Sequence, residues 1–139
     1  MATPTPYQVV HQVISAFDQG DWTIFDSHPG LSETRQHLPQ MRAAFPDMHH
    51  TIETKLEEGE LVACVMSVHA THQGSFMGIA PTGREVQFML LWIERIVEGH
   101  VIEHWALPDF LSIFRQIGAA IQPANTLPAR SEQVSEERR

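Results

Sequence analysis

The spacing of apolar residues changes at His49, and this change limits the possible folds more than any other feature of the chain. Before His49, apolar residues recur three and four positions apart, which is the period of a helix that buries one face. After it, stretches rich in β-branched and aromatic residues predict strands at residues 49–57, 61–71, 85–96 and 101–106. Gly-containing turn signals between these stretches join the predicted strands into an antiparallel meander.

The predicted helices lie at both ends of this meander. The first spans residues 7–17, and the second spans residues 31–45 with Ser32 as its N-cap. Pro39 lies inside the second helix and should kink or restart it, because proline has no amide hydrogen to donate. A short closing helix is predicted at residues 110–117.

Helices packed on one face of a curved antiparallel sheet make an α+β domain, here a cone with a pocket inside. The 139 residues suffice for one such domain. We place it at residues 1–122 and expect a disordered tail at residues 123–139, where Pro, Ser, Glu, Gln and Arg dominate.

Composition excludes several functions. The formal net charge of −8 opposes binding to nucleic acid, and no apolar run is long enough to span a membrane. The single cysteine, Cys64, permits neither an intrachain disulfide nor a cysteine-based zinc site. The start of the chain lacks the features of a signal peptide. We therefore expect a cytoplasmic protein with no nucleic-acid or membrane partner.

Nine histidines are the most unusual feature of the composition. His49 and His50 are adjacent on a predicted strand, so alternation directs them to opposite faces and they cannot easily hold one ion. His69 and His72 are three positions apart, so strand alternation would also direct them to opposite faces. We expect no metal site and interpret most of these histidines as surface or hydrogen-bonded residues.

Asp109 is the most informative candidate for chemistry, because it stands where the last strand meets the closing helix. It either caps that helix by accepting backbone amide hydrogens or faces the pocket as an acid whose pKa is raised by apolar walls. In the second case His104 or His28 should lie within reach of its carboxyl. The candidate apolar walls, each of which could also be ordinary core, are Trp105, Trp92, Phe88, Met66 and Met89.

Four segments resemble the successive signatures of SnoaL-like polyketide cyclases, which belong to the nuclear-transport-factor-like cone superfamily. They are Phe45-Pro46-Asp47, the block from Thr71-His72-Gln73-Gly74 to Pro81-Thr82-Gly83, Glu103-His104-Trp105 and Pro108-Asp109-Phe110. The resemblance covers about residues 7–118. One departure is Cys64-Val65, which stands where many relatives have Arg-Trp and so removes a common buried cation.

The resemblance implies a cofactor-free enzyme that closes a ring of an aromatic polyketide ester by an intramolecular aldol reaction. It implies that Asp109 is the acid/base and that His28 is a histidine of the pocket. His72, in the second of the four segments, is expected to bind substrate together with the apolar wall residues named above. The implied partners are a hydrophobic small-molecule substrate and a second copy of the chain, paired through the outer face of the sheet.

The function hypothesis is a cofactor-independent polyketide cyclase or related isomerase that acts on a hydrophobic carbonyl compound, with Asp109, His104 and His28 as catalytic residues. Two alternatives stay open. One is an epoxide-hydrolase-like or hydratase-like enzyme in which Asp109 activates water with help from His28. The other is a non-catalytic module that binds a small molecule.

Overall fold

A computed structural model describes residues 2–119 and has the predicted α+β architecture. The strands form one antiparallel sheet in the order β1-β2-β3-β4, so each strand pairs with its neighbour in sequence. In chain order, the helices and strands are α1 (Pro6–Gln19), α2 (Ser32–Ala44), β1 (His49–Glu58), β2 (Leu61–Thr71), β3 (Glu85–Val97), β4 (His100–Pro108) and α3 (Phe110–Gln116). The expected tail at residues 123–139 lies outside the described residues.

Local signals define α1 at both ends. The Thr5 hydroxyl accepts the Gln8 amide hydrogen, and the Gln8 side chain accepts the Thr5 amide hydrogen, a reciprocal capping box. Gly20 ends the helix with φ of 72°, in the left-handed region that glycine adopts without strain. The predicted apolar stripe is buried against the sheet, and Val13 at its centre is fully inaccessible. None of the helices among residues 2–119 is both long and apolar enough to cross a membrane.

The N-cap expected for α2 is wrong, and of the two effects expected of Pro39 a restart of the helix does not occur. Ser32 is the first helical residue rather than the N-cap, which is Leu31 and makes no side-chain capping bond. Pro39 lies inside one continuous helix and does not restart it. The Pro39 ring is exposed, so water can replace the backbone hydrogen bond that proline cannot make.

The sheet buries one face and is irregular at two places that increase its curvature. Residues of β2 and β3 alternate between buried and accessible positions, with the buried set facing the helices. Register shifts interrupt β1 between Ile52 and Thr54 and β3 between Arg95 and Ile96, and such bulges bend and twist a strand. The curved sheet therefore encloses space between its inner face and the helices.

His28 and Gly30 join the segment before α2 to the start of β4. The His28 Nδ1 accepts the Val101 amide hydrogen at 3.0 Å, and the His28 ring is buried. Gly30 lies directly on the β4 backbone, where an added Cβ would be 2.6 Å from the Ile102 carbonyl carbon. His28 therefore has a structural role in this position, because its ring nitrogen accepts a hydrogen bond from a backbone amide of the sheet.

Burial lowers the pKa of His28 from its usual value of 6.5, and the nearby His100 lowers it further. Protonation would also place an N–H where Nδ1 now accepts the Val101 amide hydrogen. The neutral ring is therefore the form compatible with the folded chain.

We expect Gly30→Ala to destabilise the protein by several kcal/mol, because the new methyl group would meet β4 backbone atoms that cannot move without breaking the sheet. Gly59→Ala is the matched control. Its φ of +58° is unfavourable for alanine, but no atom lies within 4 Å of the added Cβ, so the cost should be only about 1–2 kcal/mol. Urea unfolding of both variants measures the difference, and equal costs would contradict the close packing of Gly30.

We expect His28 to make stability depend on pH. Because its folded pKa lies below the unfolded value, the stabilisation is complete above pH 6.5 and is lost as pH falls from there toward the folded pKa. His28→Asn keeps an oxygen acceptor for the Val101 amide but does not titrate. Urea unfolding at pH 7.5 and 5.5 should therefore show a smaller loss of stability for this variant than for the wild type. An equal loss would show that His28 does not contribute.

Candidate active site

The inner face of the sheet and the helices enclose a cavity of about 190 Å³, which we call the inner cavity. Its polar lining residues are Thr34, His37, His50 and His104. The remaining lining residues are apolar, namely Phe17, Leu38, Met41, Met48, Phe88, Leu90, Trp92, Ala106, Pro108 and Phe110. An apolar cavity with few polar groups is typical of a small-molecule site.

The inner cavity adjoins a wider outer groove of about 540 Å³, and both are lined by His37, Met41, Pro108 and Phe110. A tight turn at residues 76–79 forms one wall of the groove, closed by reciprocal Phe76–Ile79 backbone hydrogen bonds of 2.9 and 2.8 Å. Met77 at the tip of this turn is exposed and has φ of 47°. A ligand with several fused rings can place one end in the inner cavity and the rest in the groove.

Glu94 and His104 form a buried pair at the wall of the inner cavity. They are direct partners across β3 and β4, and His104 Nδ1 lies 3.0 Å from Glu94 Oε2. The Glu94 side chain is 0% exposed and the His104 side chain 5%. Because a buried carboxylate is costly without a hydrogen-bond donor, this contact fixes the ring. The edge-to-face contact with Trp92, at 4.9 Å between centroids, fixes it further.

The pair leaves two polar atoms without partners among the described residues, His104 Nε2 and Glu94 Oε1. Since Nδ1 is occupied by Glu94, the buried Nε2 is the ring nitrogen that is left without a partner. A histidine oriented by a carboxylate through one nitrogen and free at the other can accept or donate a proton at that second atom.

Glu94 is not among the site residues predicted from the sequence. An acidic residue at an inward position of an otherwise apolar strand was the available signal, since alternation sends residues 88, 90, 92 and 94 of β3 to one face. The negative charge of Glu94 also affects the pKa of a residue on β2. There the pKa of the Cys64 thiol is raised to about 11, mainly by burial and next by the negative charge of Glu94.

A second carboxylate–histidine pair joins α1 to β1. His50 lines the inner cavity, and its Nδ1 lies 2.6 Å from Asp18 Oδ1. The His50 ring lies 6.3 Å from the Trp92 ring, between centroids, and 4.9 Å from the Phe17 ring. Neither residue of this pair is among the site residues predicted from the sequence.

Of the predicted wall residues, Phe88 and Trp92 line the inner cavity. Met66 is fully buried in the core and is not among the lining residues. Trp105 and Met89 lie on the opposite face of the sheet and are 48% and 44% exposed. Each follows an inward residue directly on its strand, so alternation turns it away from the cavity.

His72 also lies outside the cavity. It is fully buried at the start of the β2–β3 loop, where its Nδ1 accepts the Thr82 amide hydrogen at 3.2 Å and lies 3.0 Å from the Thr82 hydroxyl. Its backbone amide donates to the Arg84 carbonyl oxygen at 2.9 Å. These contacts close the loop, so in this structure His72 has a structural position rather than a substrate-binding one.

Asp109 is the N-cap of α3, the first of the two arrangements considered for it. Its exposed carboxylate accepts the Ser112 amide hydrogen at 3.1 Å. Neither of the two histidines expected within reach of its carboxyl is hydrogen-bonded to Asp109, since His104 contacts Glu94 and His28 accepts the Val101 amide hydrogen. The catalytic role of Asp109 stays a prediction.

Among the residues that the structure describes, the ionisable ones that line the inner cavity are all histidines. Within residues 2–119, no three His, Cys, Asp or Glu side chains are grouped closely enough to hold a metal ion. The arrangement supports proton transfer by an imidazole in an apolar site. In two of these histidines, His50 and His104, Nδ1 contacts a carboxylate.

Comparison with curated proteins finds relatives that are similar over part of their length. The chain is 32% identical to the aklanonic acid methyl ester cyclase DnrD of Streptomyces peucetius over 79 residues, which are 56% of this chain and 54% of that protein. It is 30% identical to the nogalonic acid methyl ester cyclase of Streptomyces nogalater over 92 residues, 66% of this chain and 69% of that protein. The chain thus spans about half of DnrD and about two thirds of the nogalonic acid methyl ester cyclase.

The fold has solved counterparts. The structure of AclR from Streptomyces galilaeus superposes with a TM-score of 0.77 at 23% identity, and the match covers 98% of this chain and 95% of that one. The family model described as SnoaL-like polyketide cyclase matches residues 8–117, which include every described helix and strand except the first two residues of α1. The chain therefore belongs to the SnoaL-like polyketide cyclase family.

Proposed function

We propose that the protein is a polyketide cyclase that closes a ring of a hydrophobic polyketide ester, with His104 as the proton-transfer residue and Glu94 as its positioning residue. The observation that carries this proposal is the unpaired Nε2 of His104 at an apolar cavity wall, with Nδ1 held by the buried Glu94. Membership of the family supports a cyclase.

An aldol ring closure requires little beyond orientation and proton transfer. A proton leaves a carbon between two carbonyl groups, the resulting enolate attacks a third carbonyl carbon, and the new alkoxide takes up a proton. Conjugation makes the first proton labile, so an imidazole is a sufficient base. The Nε2 of His104 would remove this proton, while Trp92, Phe88 and Phe110 hold the chain of the substrate in the folded pose that brings the two carbons together.

The sizes of the two spaces support a substrate with several rings. The inner cavity of about 190 Å³ suits the end of the molecule that reacts, and the groove of about 540 Å³ suits the rings already formed. The similarity to cyclases named for aklanonic acid methyl ester and nogalonic acid methyl ester makes these two esters the test substrates.

Asp109 is the rival for the same role, as the family resemblance implies. Its neighbours Pro108 and Phe110 line both the cavity and the groove, so a rotation of the Asp109 side chain away from the Ser112 amide would bring the carboxyl toward the substrate. We favour His104, because it lines the cavity and its Nε2 has no hydrogen-bond partner among the described residues.

We also propose that two copies of the chain pair through the outer face of the sheet. Exposed apolar residues concentrate there, and a hollow of about 570 Å³ lies among them, lined by Leu61, Leu91, Ile93, Arg95, Trp105, Ala106 and Leu107. A contiguous exposed apolar patch of this kind marks an interaction surface.

We expect His104→Asn to lower kcat for ring closure of either ester by about 10²–10⁴-fold. The asparagine amide nitrogen takes the place of Nδ1 and can still donate to Glu94, so the variant removes Nε2 and little else. Glu94→Gln should lower kcat less, because the glutamine carbonyl oxygen can still accept the Nδ1 hydrogen of His104 and only the negative charge that stabilises the protonated ring is lost. Product formation is followed by liquid chromatography with mass detection.

Asp109→Asn is the matched comparison for this experiment. Asparagine caps helices as well as aspartate does, so stability should be retained and, under our assignment, kcat should change by less than about tenfold. A large loss of kcat in Asp109→Asn together with retained activity in His104→Asn would assign the acid/base role to Asp109 instead.

Light scattering should give the mass of two chains of 15.7 kDa each. Trp105→Lys places a charge in the outer-face patch and should shift the protein to the mass of one chain, since a buried unpaired charge is costly at an interface. Lys55→Glu, also at an exposed position of the sheet but outside this patch, should leave the mass unchanged. A wild-type mass of one chain would refute the pairing.

A further inference from the structure

We propose that His50, oriented by Asp18, is a second catalytic residue of the inner cavity and delivers the proton to the alkoxide formed on ring closure. This inference rests on the proposed cyclase function and extends it, because it divides the two proton transfers between two histidines. His104 removes the proton from carbon, and His50 supplies the proton to oxygen.

The first support is the position of the His50 ring. His50 and His104 line the same cavity of about 190 Å³. Both rings contact Trp92, with centroid distances of 6.3 Å for His50 and 4.9 Å for His104. Because the cavity is small, a ring system seated against Trp92 reaches both imidazoles.

The second support is the way in which Asp18 holds His50. One carboxylate oxygen accepts the backbone amide hydrogen of His50 at 3.0 Å, and the other lies 2.6 Å from Nδ1 of the same residue. The backbone contact alone would fasten β1 to α1. The ring contact has a different effect, because it occupies Nδ1 and leaves Nε2 as the nitrogen for a ligand.

The third support is the contrast with His49. Its Nδ1 also approaches Asp18, at 3.4 Å, but its side chain is 69% exposed, whereas that of His50 is 2% exposed. The two residues share a strand and a carboxylate, yet only His50 lines the cavity. A surface charge contact explains His49, and it does not explain a buried imidazole at an apolar wall.

The proposed step balances without an oxidant or a cofactor. The electron pair of the broken C–H bond becomes the new C–C bond, and the π electrons of the attacked carbonyl move to its oxygen. His104 Nε2 receives the proton from carbon, and a protonated His50 gives its Nε2 proton to the alkoxide. After the product leaves, His104 releases a proton to water and His50 takes one up, so the enzyme returns to its starting state.

The experiment compares His50→Asn with His49→Asn, using the methyl ester that the wild-type protein cyclises. In His50→Asn the amide nitrogen takes the place of Nδ1 and keeps the contact with Asp18, while Nε2 is lost. We expect kcat to fall by about 10²–10⁴-fold with little change in KM and an unfolding midpoint close to that of the wild type. His49→Asn should retain the wild-type kcat.

A purely structural His50 predicts the opposite result, namely that His50→Asn keeps its kcat because the contact with Asp18 is preserved, and that outcome overturns the inference. If His50→Asn does not fold, His50→Ala is assayed with added imidazole. Restored turnover supports proton transfer at this position, and no restoration overturns it. A wild-type protein that cyclises neither ester overturns the proposed function and this inference together. An active wild type with an active His50→Asn overturns the inference alone.

Discussion

The alternation of residues along β3 is the constraint on which the rest of the molecule depends. Phe88, Leu90 and Trp92 must face the helices, because their burial gives the sheet its apolar side. Glu94 follows at the same parity and is carried to that side with them. A shift of one residue in register would expose the whole apolar set, so the inward position of this carboxyl follows from the packing of its neighbours.

A carboxyl buried in this way limits which residue can lie opposite it on the neighbouring strand. The partner position on β4 must supply a donor, and His104 does so through Nδ1. The ring is then held by a hydrogen bond on one side and by the edge-to-face contact with Trp92 on another. The Asp18–His50 pair reaches a similar arrangement from different elements, since it links α1 to β1 across 32 positions of sequence rather than 10.

The sequence predicted the helices and strands to within a few residues, because their periods are local. It also predicted Phe88, Trp92 and His104 as residues of the cavity. It placed Trp105 and Met89 there as well, although each is adjacent to an inward residue and strand alternation argues against both. Glu94 could have been found by the same parity argument. The contact of Asp18 with His50 could not, because it depends on how α1 docks against β1, and no local pattern encodes that geometry.

The tight turn at residues 76–79 has a consequence for how such proteins diversify. Met77 at its tip is exposed and forms part of the rim of the outer groove, whereas Phe76 at its base is buried against Phe45 and Phe114. The exposed tip at Met77 and Gly78 can therefore vary while the buried Phe76 stays in place. Selectivity for the distal rings of a substrate and the chemistry of the enclosed histidines are thus separable traits, and the entrance can be remodelled while the catalytic machinery is inherited unchanged.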